Sequence, residues 1–156
     1  MVVSIINSPL SKKYSLESLR NAWSGFAPLG CGLQVRLKAL MLEDAAFNQV
    51  RGISETSCIA TMLYYVEQYS TGSVGRFLLD AKIVDEDGRD IIGFGVVGEL
   101  CVRGLTIMKG YCENEEANKR DWDGDGYFHT GDVAYCGKEG KPWYIVDWKK
   151  VRCLLR

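Results

Sequence analysis

The sequence predicts an α/β segment followed by a mainly β half, a small barrel or sandwich. Three observations carry that expectation. Apolar residues recur at helical spacing through Leu33, Leu37, Leu40 and Met41. From Phe47 onward the texture changes to short apolar runs, FNQV, SVGRFLL, AKIVD, GELCVRG, YFHTGDVAY and PWYIVD, divided by turn signals such as Glu86-Asp87-Gly88 and Lys138-Glu139-Gly140-Lys141-Pro142. The segment ENEEANKR, 113–120, is the clear helical interruption of that β-rich half.

Ahead of these elements, SLESLRNAW over 15–23 places Leu16, Leu19 and Trp23 on one helical face, so a short helix is expected there. SGFAPLG, 24–30, supplies a small-residue turn before the helix carrying Leu33 and Leu37. No internal repeat or low-complexity stretch is visible.

Composition narrows the function classes. The chain has 156 residues, a net charge of −1 and 25% charged residues, so neither a disordered chain nor a field that attracts nucleic acid is expected. Six cysteines form no C-x-x-C pair and share the chain with a single His, which argues against zinc and fits reduced thiols in a cytosol-like compartment. MVVSIINSPL has no basic segment before its short apolar run, and no run approaches the ~18 apolar residues of a membrane span, so a soluble cytoplasmic protein is expected.

Two motif matches are set aside on context. GFGVVG, 93–98, has the glycine spacing of a dinucleotide-binding turn, but GELCVRG follows it where that motif requires a helix. DWDGDGYFHTGD, 121–132, nearly reproduces the ligand spacing of an EF-hand calcium loop. Its exit through Val133-Ala134-Tyr135 is strand-like, and Asp132 replaces the longer Glu that would reach calcium with both oxygens. Asp121, Asp123 and Asp125 are accordingly expected to form a solvated turn.

Five segments taken in order, SGFAPLG, QVRGISETS, GELCVRG with LTIMKGY, GYFHTGD and YIVDWKK, resemble the core motifs of the adenylate-forming (AMP-binding) superfamily. The likeness is to its acyl-CoA synthetase and 4-coumarate-CoA ligase branch, and it runs from about Leu10 to Lys150. The resemblance implies a fragment of that family's large N-terminal domain: 1–69 as the end of an α/β subdomain, 70–147 as a β-rich, barrel-like subdomain, and 148–156 as a hinge remnant with a divergent tail. It also implies the reaction, in which acid, ATP and CoA give acyl-CoA, AMP and pyrophosphate with magnesium present, in phenylpropanoid, fatty-acid or secondary metabolism.

Roles follow only at matching positions. Ala27, in the loop Gly25-Phe26-Ala27-Pro28, would line the wall for adenine or the acyl group. Gln49, Val50, Arg51, Ser54 and Glu55 match the segment Q-G-Y-G-x-T-E, so Ser54 would contact the α-phosphate and Glu55 would help to hold magnesium. Val50 departs from the pattern's Gly, and Arg51 stands where an aromatic ring stacks on adenine, a task a planar guanidinium can share. Asp132 would accept hydrogen bonds from both ribose hydroxyls. Trp148 replaces an Arg that also reaches the ribose, and Lys150 matches the hinge position.

The resemblance also implies segments outside this sequence. A phosphate-wrapping loop belongs upstream of it and a domain carrying a catalytic lysine downstream, so no catalytic residue is assigned and the chain alone is expected to be inactive. The alternative expectation is a non-catalytic fragment that binds nucleotide or joins a complementing partner. Peroxisomal members exist in the family, but Leu154-Leu155-Arg156 is not the Ser-Lys-Leu type of address.

Overall fold

The computed structural model describes residues 1–25, 29–63, 72–138 and 142–148. The first unit is βαβ. Strand β1 (Asn21–Ser24) pairs in parallel with β2 (Ala46–Gln49), register Asn21 to Ala46 through Ser24 to Gln49, and helix α2 (Cys31–Lys38) lies in the crossover between them. Parallel strands need such a crossover, because a tight turn can only reverse the chain. The apolar spacing that predicts α2 is satisfied by burial of Leu37, and Met41 is buried just beyond the helix. A short helix α1 (Val2–Asn7) lies against α2, where Arg36 donates from Nη2 to Asn7 Oδ1 at 3.0 Å.

The helix expected over 15–23 does not form. The Ser15 hydroxyl accepts from the Glu17 amide at 3.1 Å and closes a local turn, and residues 21–24 are drawn into β1 by β2. Local hydroxyl bonding and a partner strand distant in sequence override the helical pattern here. The expected strand SVGRFLL shrinks to β4 (Arg76–Phe77), antiparallel to β3 (Thr61–Met62).

The β-rich half follows its sequence pattern closely. Strands β5 (Asp80–Val84), β6 (Gly98–Arg103), β7 (Phe128–Cys136) and β8 (Trp143–Trp148) form one antiparallel sheet in chain order. Among the described residues the sheet is open, with β5 and β8 at its edges, where the sequence suggested a small barrel or sandwich. Helix α3 (Glu115–Asp121) occupies the expected interruption, its Asn114 cap accepting from the Ala117 amide at 3.1 Å. No helix among the described residues is long and apolar enough to cross a membrane.

One face of the sheet carries the core, with Leu100, Val102, Phe128 and Ala134 buried together. Ile53, Ile107, Phe77 and Trp143 pack against them. Ile53 and Ile107 matter most, because they belong to the QVRGISETS and LTIMKGY segments. Partial burial of these two side chains against the core anchors both motifs to the sheet.

Candidate functional site

Asp132 is aimed by an irregularity in β7. Glu99 pairs with Val133 and Cys101 with His129, so a single β6 residue, Leu100, faces three of β7, Thr130, Gly131 and Asp132. The bulge keeps its polar groups satisfied: the Thr130 hydroxyl donates to the Leu100 carbonyl at 2.8 Å and accepts from the Asp132 amide at 3.1 Å. Gly131 sits within it at φ +70°, a conformation that favours glycine. The sequence HTGD thus has a structural reason for Thr and Gly ahead of its carboxylate.

Opposite lies the turn after β2. The Arg51 amide donates to Thr61 Oγ1 at 2.7 Å, and the Arg51 carbonyl accepts from the amides of Ala60 and Thr61 at 2.8 and 3.0 Å. Gly52 follows, and a Cβ there would stand 1.5 Å from the Cys58 carbonyl oxygen, so no other residue fits. Ser57 and Cys58 both have positive φ, at 54° and 100°. Thr56, fully buried, closes the turn by accepting from the Ile53 amide at 3.2 Å and donating to the Ile53 carbonyl at 3.0 Å. Non-glycine residues in that region store strain, of the kind found where a backbone is held for function.

The two elements meet across 81 residues of sequence: Arg51 donates from Nε to Asp132 Oδ2 at 2.9 Å, and Nη2 contacts the same oxygen. Asp132 is 6% exposed. Burial raises its carboxyl above the ordinary value; the Arg51 guanidinium pulls it back, and the Glu55 charge adds to the rise. Burial prevails over the ion pair.

Glu55 has its own support. The Tyr111 hydroxyl donates to Glu55 Oε1 at 3.0 Å, while the Met108 amide donates to the Glu55 carbonyl at 2.8 Å and the Ser57 hydroxyl to the Thr106 carbonyl at 2.7 Å. Tyr111 is in turn held by α3, whose Asn118 side chain accepts from the Tyr111 amide at 2.6 Å and donates to its carbonyl at 3.0 Å. Burial first, and the bond to Glu55 second, push the Tyr111 phenol up to about 12. The LTIMKGY motif ends on Tyr111 but assigns neither it nor Asn118 a role. The only sequence signal was an aromatic hydroxyl in a motif otherwise occupied with packing.

The other candidate residues are placed as follows. Ser54 is exposed at the start of the turn. Gln49 is buried and accepts from the Leu29 amide at 3.0 Å, while Gln34 of α2 donates to the Leu29 carbonyl at 2.9 Å; together they fix the chain just after the loop. Val50 donates its amide to the Ser24 carbonyl at 2.9 Å, and its Cγ2 lies 2.9 Å from where a Cβ on Gly25 would be. Trp148 pairs with Asp132 in the β7–β8 ladder. Ala27 and Lys150 lie outside the described residues.

The acidic turn before β7 is more engaged than a solvated loop. Asp123 accepts from the amides of Asp125 and Tyr127 at 3.0 and 2.8 Å, and Lys82 Nζ lies 2.9 Å from its Oδ2. Burial pushes the Asp123 carboxyl up, but Lys82 and the Tyr127 amide hold it below the ordinary value. Asp121 pairs with Arg120 at 2.6 Å. Among the described residues no group of three His, Cys, Asp or Glu side chains could hold a metal ion. A helix precedes this turn and a strand follows it, and GFGVVG likewise leads directly into β6.

Comparison with known proteins agrees with this architecture. The family model of the AMP-binding enzymes matches residues 1–112. The chain is 52% identical over 152 residues to the acyl-CoA synthetase ACTT5 of Alternaria alternata, covering 96% of this chain and 26% of that protein. It is 44% identical over 154 residues to the acyl-CoA ligase azaF of Aspergillus niger, covering 96% of this chain and 29% of the relative. Its backbone matches ATP-bound MatB from Rhodopseudomonas palustris with a TM-score of 0.84 at 27% identity, over 96% of this chain and 29% of that one. The chain therefore spans between 26% and 29% of the length of these relatives. With the match extending over 1–112 of its 156 residues, the chain belongs to the AMP-binding family of adenylate-forming enzymes.

Proposed function

We propose that this chain is the nucleotide-contacting part of an acyl-CoA ligase, which converts a carboxylic acid, ATP and CoA to acyl-CoA, AMP and pyrophosphate. The observation that carries the reading is the meeting of buried Asp132 with the Arg51–Glu55 turn across 81 residues of sequence. A carboxylate accepts two donors at once, so the paired hydroxyls of a ribose match Asp132. In this reading residues 1–69 supply the adenine and phosphate contacts, with Ala27, Gln49 and Val50 lining the pocket and Ser54 offering its exposed hydroxyl to the α-phosphate. Residues 70–147 supply the ribose carboxylate, and Lys150 begins the hinge.

The donor chemistry also suits magnesium. Glu55 is a half-buried hard-oxygen ligand with one oxygen oriented by Tyr111, which matches an ion that keeps most of its water. Bound there, magnesium would neutralise phosphate charge. CoA as the acyl acceptor follows from the family resemblance and fits the names of the acyl-CoA synthetase and ligase relatives.

The test is nucleotide-dependent thermal stabilisation. AMP at about 100 times its dissociation constant should stabilise the chain by about 2.7 kcal/mol. Asp132→Ala should abolish that shift. An AMP shift of equal size in the variant would contradict the assignment.

A further inference from the structure

We propose that Arg51 is an internal competitor for the ribose seat, so that nucleotide enters only by displacing its guanidinium from Asp132. The inference rests on the reading of Asp132 given above. A ribose diol seated with one hydroxyl on each carboxylate oxygen needs Oδ2, whose two lone-pair sites Arg51 already fills with Nε at 2.9 Å and Nη2 beside it. The Asp132 side chain is 9% exposed, and that of Arg51 is 25%. Arg51 therefore covers the oxygen it binds and is the more exposed member of the pair. Its backbone cannot drift away, because the amide and carbonyl are both bonded to the Ala60–Thr61 strand segment. Only the side chain can swing.

Both sets of bonds reach an ionised acceptor, but the guanidinium brings a full positive charge that ribose hydroxyls lack, so exchanging one for the other costs binding energy. Displacement thus lowers nucleotide affinity, and the position becomes a tuning residue. An aromatic ring there would leave Asp132 open. Arginine closes it until a ligand competes.

AMP affinity measured by isothermal titration calorimetry on the full chain, Arg51→Ala and Arg51→Gln tests this. Tightening by about tenfold or more in Arg51→Ala, with a smaller gain in Arg51→Gln, is expected. Unchanged or weaker binding in folded variants would overturn the competition, because Arg51 would then be indifferent or would hold the nucleotide itself. A second measurement needs no variant: the Arg51 Nε–H resonance should shift as AMP saturates the wild-type chain. AMP binding that leaves that resonance unmoved also overturns the proposal. If AMP binds but Asp132→Asn binds equally well, the ribose reading fails first and the competition falls with it; no AMP binding by any of these chains rejects both.

Discussion

At the scale of residues, Asp132 shows how an environment sets a side chain's chemistry. An arginine partner would by itself lower a carboxyl pKa, yet burial outweighs it and the direction is upward. The folded chain therefore holds a proton at Asp132 more readily than the unfolded chain does. Between the ordinary carboxylate value and the raised native one, the folded state binds more protons, so stability falls as pH rises through that window. Asp132→Asn cannot titrate. Urea denaturation across acidic pH should show the wild-type chain losing stability relative to Asp132→Asn as pH rises, and a relative gain would contradict the burial account. Asp132 was legible as a candidate site residue from the order of motifs. Its partner was not, because the Arg51 side chain reaches it only once the β7 bulge has turned the carboxylate toward the β2 turn.

Elements explain why that turn keeps its shape. Residues 52–58 are closed from inside by Thr56 and from outside by the 106–111 segment, which donates the Met108 amide and the Tyr111 hydroxyl to Glu55. Asn118 extends the clasp to α3, so a helix on the far side of the sequence helps to orient a carboxylate in the turn. Gly52→Ala would drive a Cβ to 1.5 Å from the Cys58 carbonyl oxygen, whereas a Cβ on Gly124 meets nothing within 4 Å. Chemical denaturation should find Gly52→Ala destabilised by about 3 kcal/mol or more and Gly124→Ala within about 0.5 kcal/mol of wild type. Similar values for the two would show that the turn is not rigid. The strands Asp80–Val84, Gly98–Arg103, Phe128–Cys136 and Trp143–Trp148 were legible because a short apolar run bounded by turn residues marks each one locally. Asn21–Ser24 was not, since its strand character comes from pairing with residues 46–49.

For the whole molecule, two kinds of sheet meet at the proposed nucleotide site. The parallel pair β1–β2 delivers Gln49, Val50 and Arg51, and the antiparallel sheet delivers Asp132 from its third strand. Ile53, in the turn that follows β2, packs on the core of the antiparallel sheet and ties the two together. The βαβ unit still presents apolar surface: Trp23 on β1 and Val35 on α2 are more than half exposed, and no residue of α1 is buried. A parallel pair is ordinarily covered on both faces, so this end of the molecule has the character of an interior surface. The family was legible from motif order, which survives changes at single positions such as Val50, Arg51 and Trp148. The consequence of those changes required the assembled site.

The central claim is that Asp132 is a ribose carboxylate held behind Arg51. A crystal structure of the chain with AMP tests it most directly. The expected result is both ribose hydroxyls within about 2.5–3.0 Å of the Asp132 oxygens, with the Arg51 guanidinium displaced. Bound AMP whose ribose lies away from an intact Arg51–Asp132 pair would contradict the account.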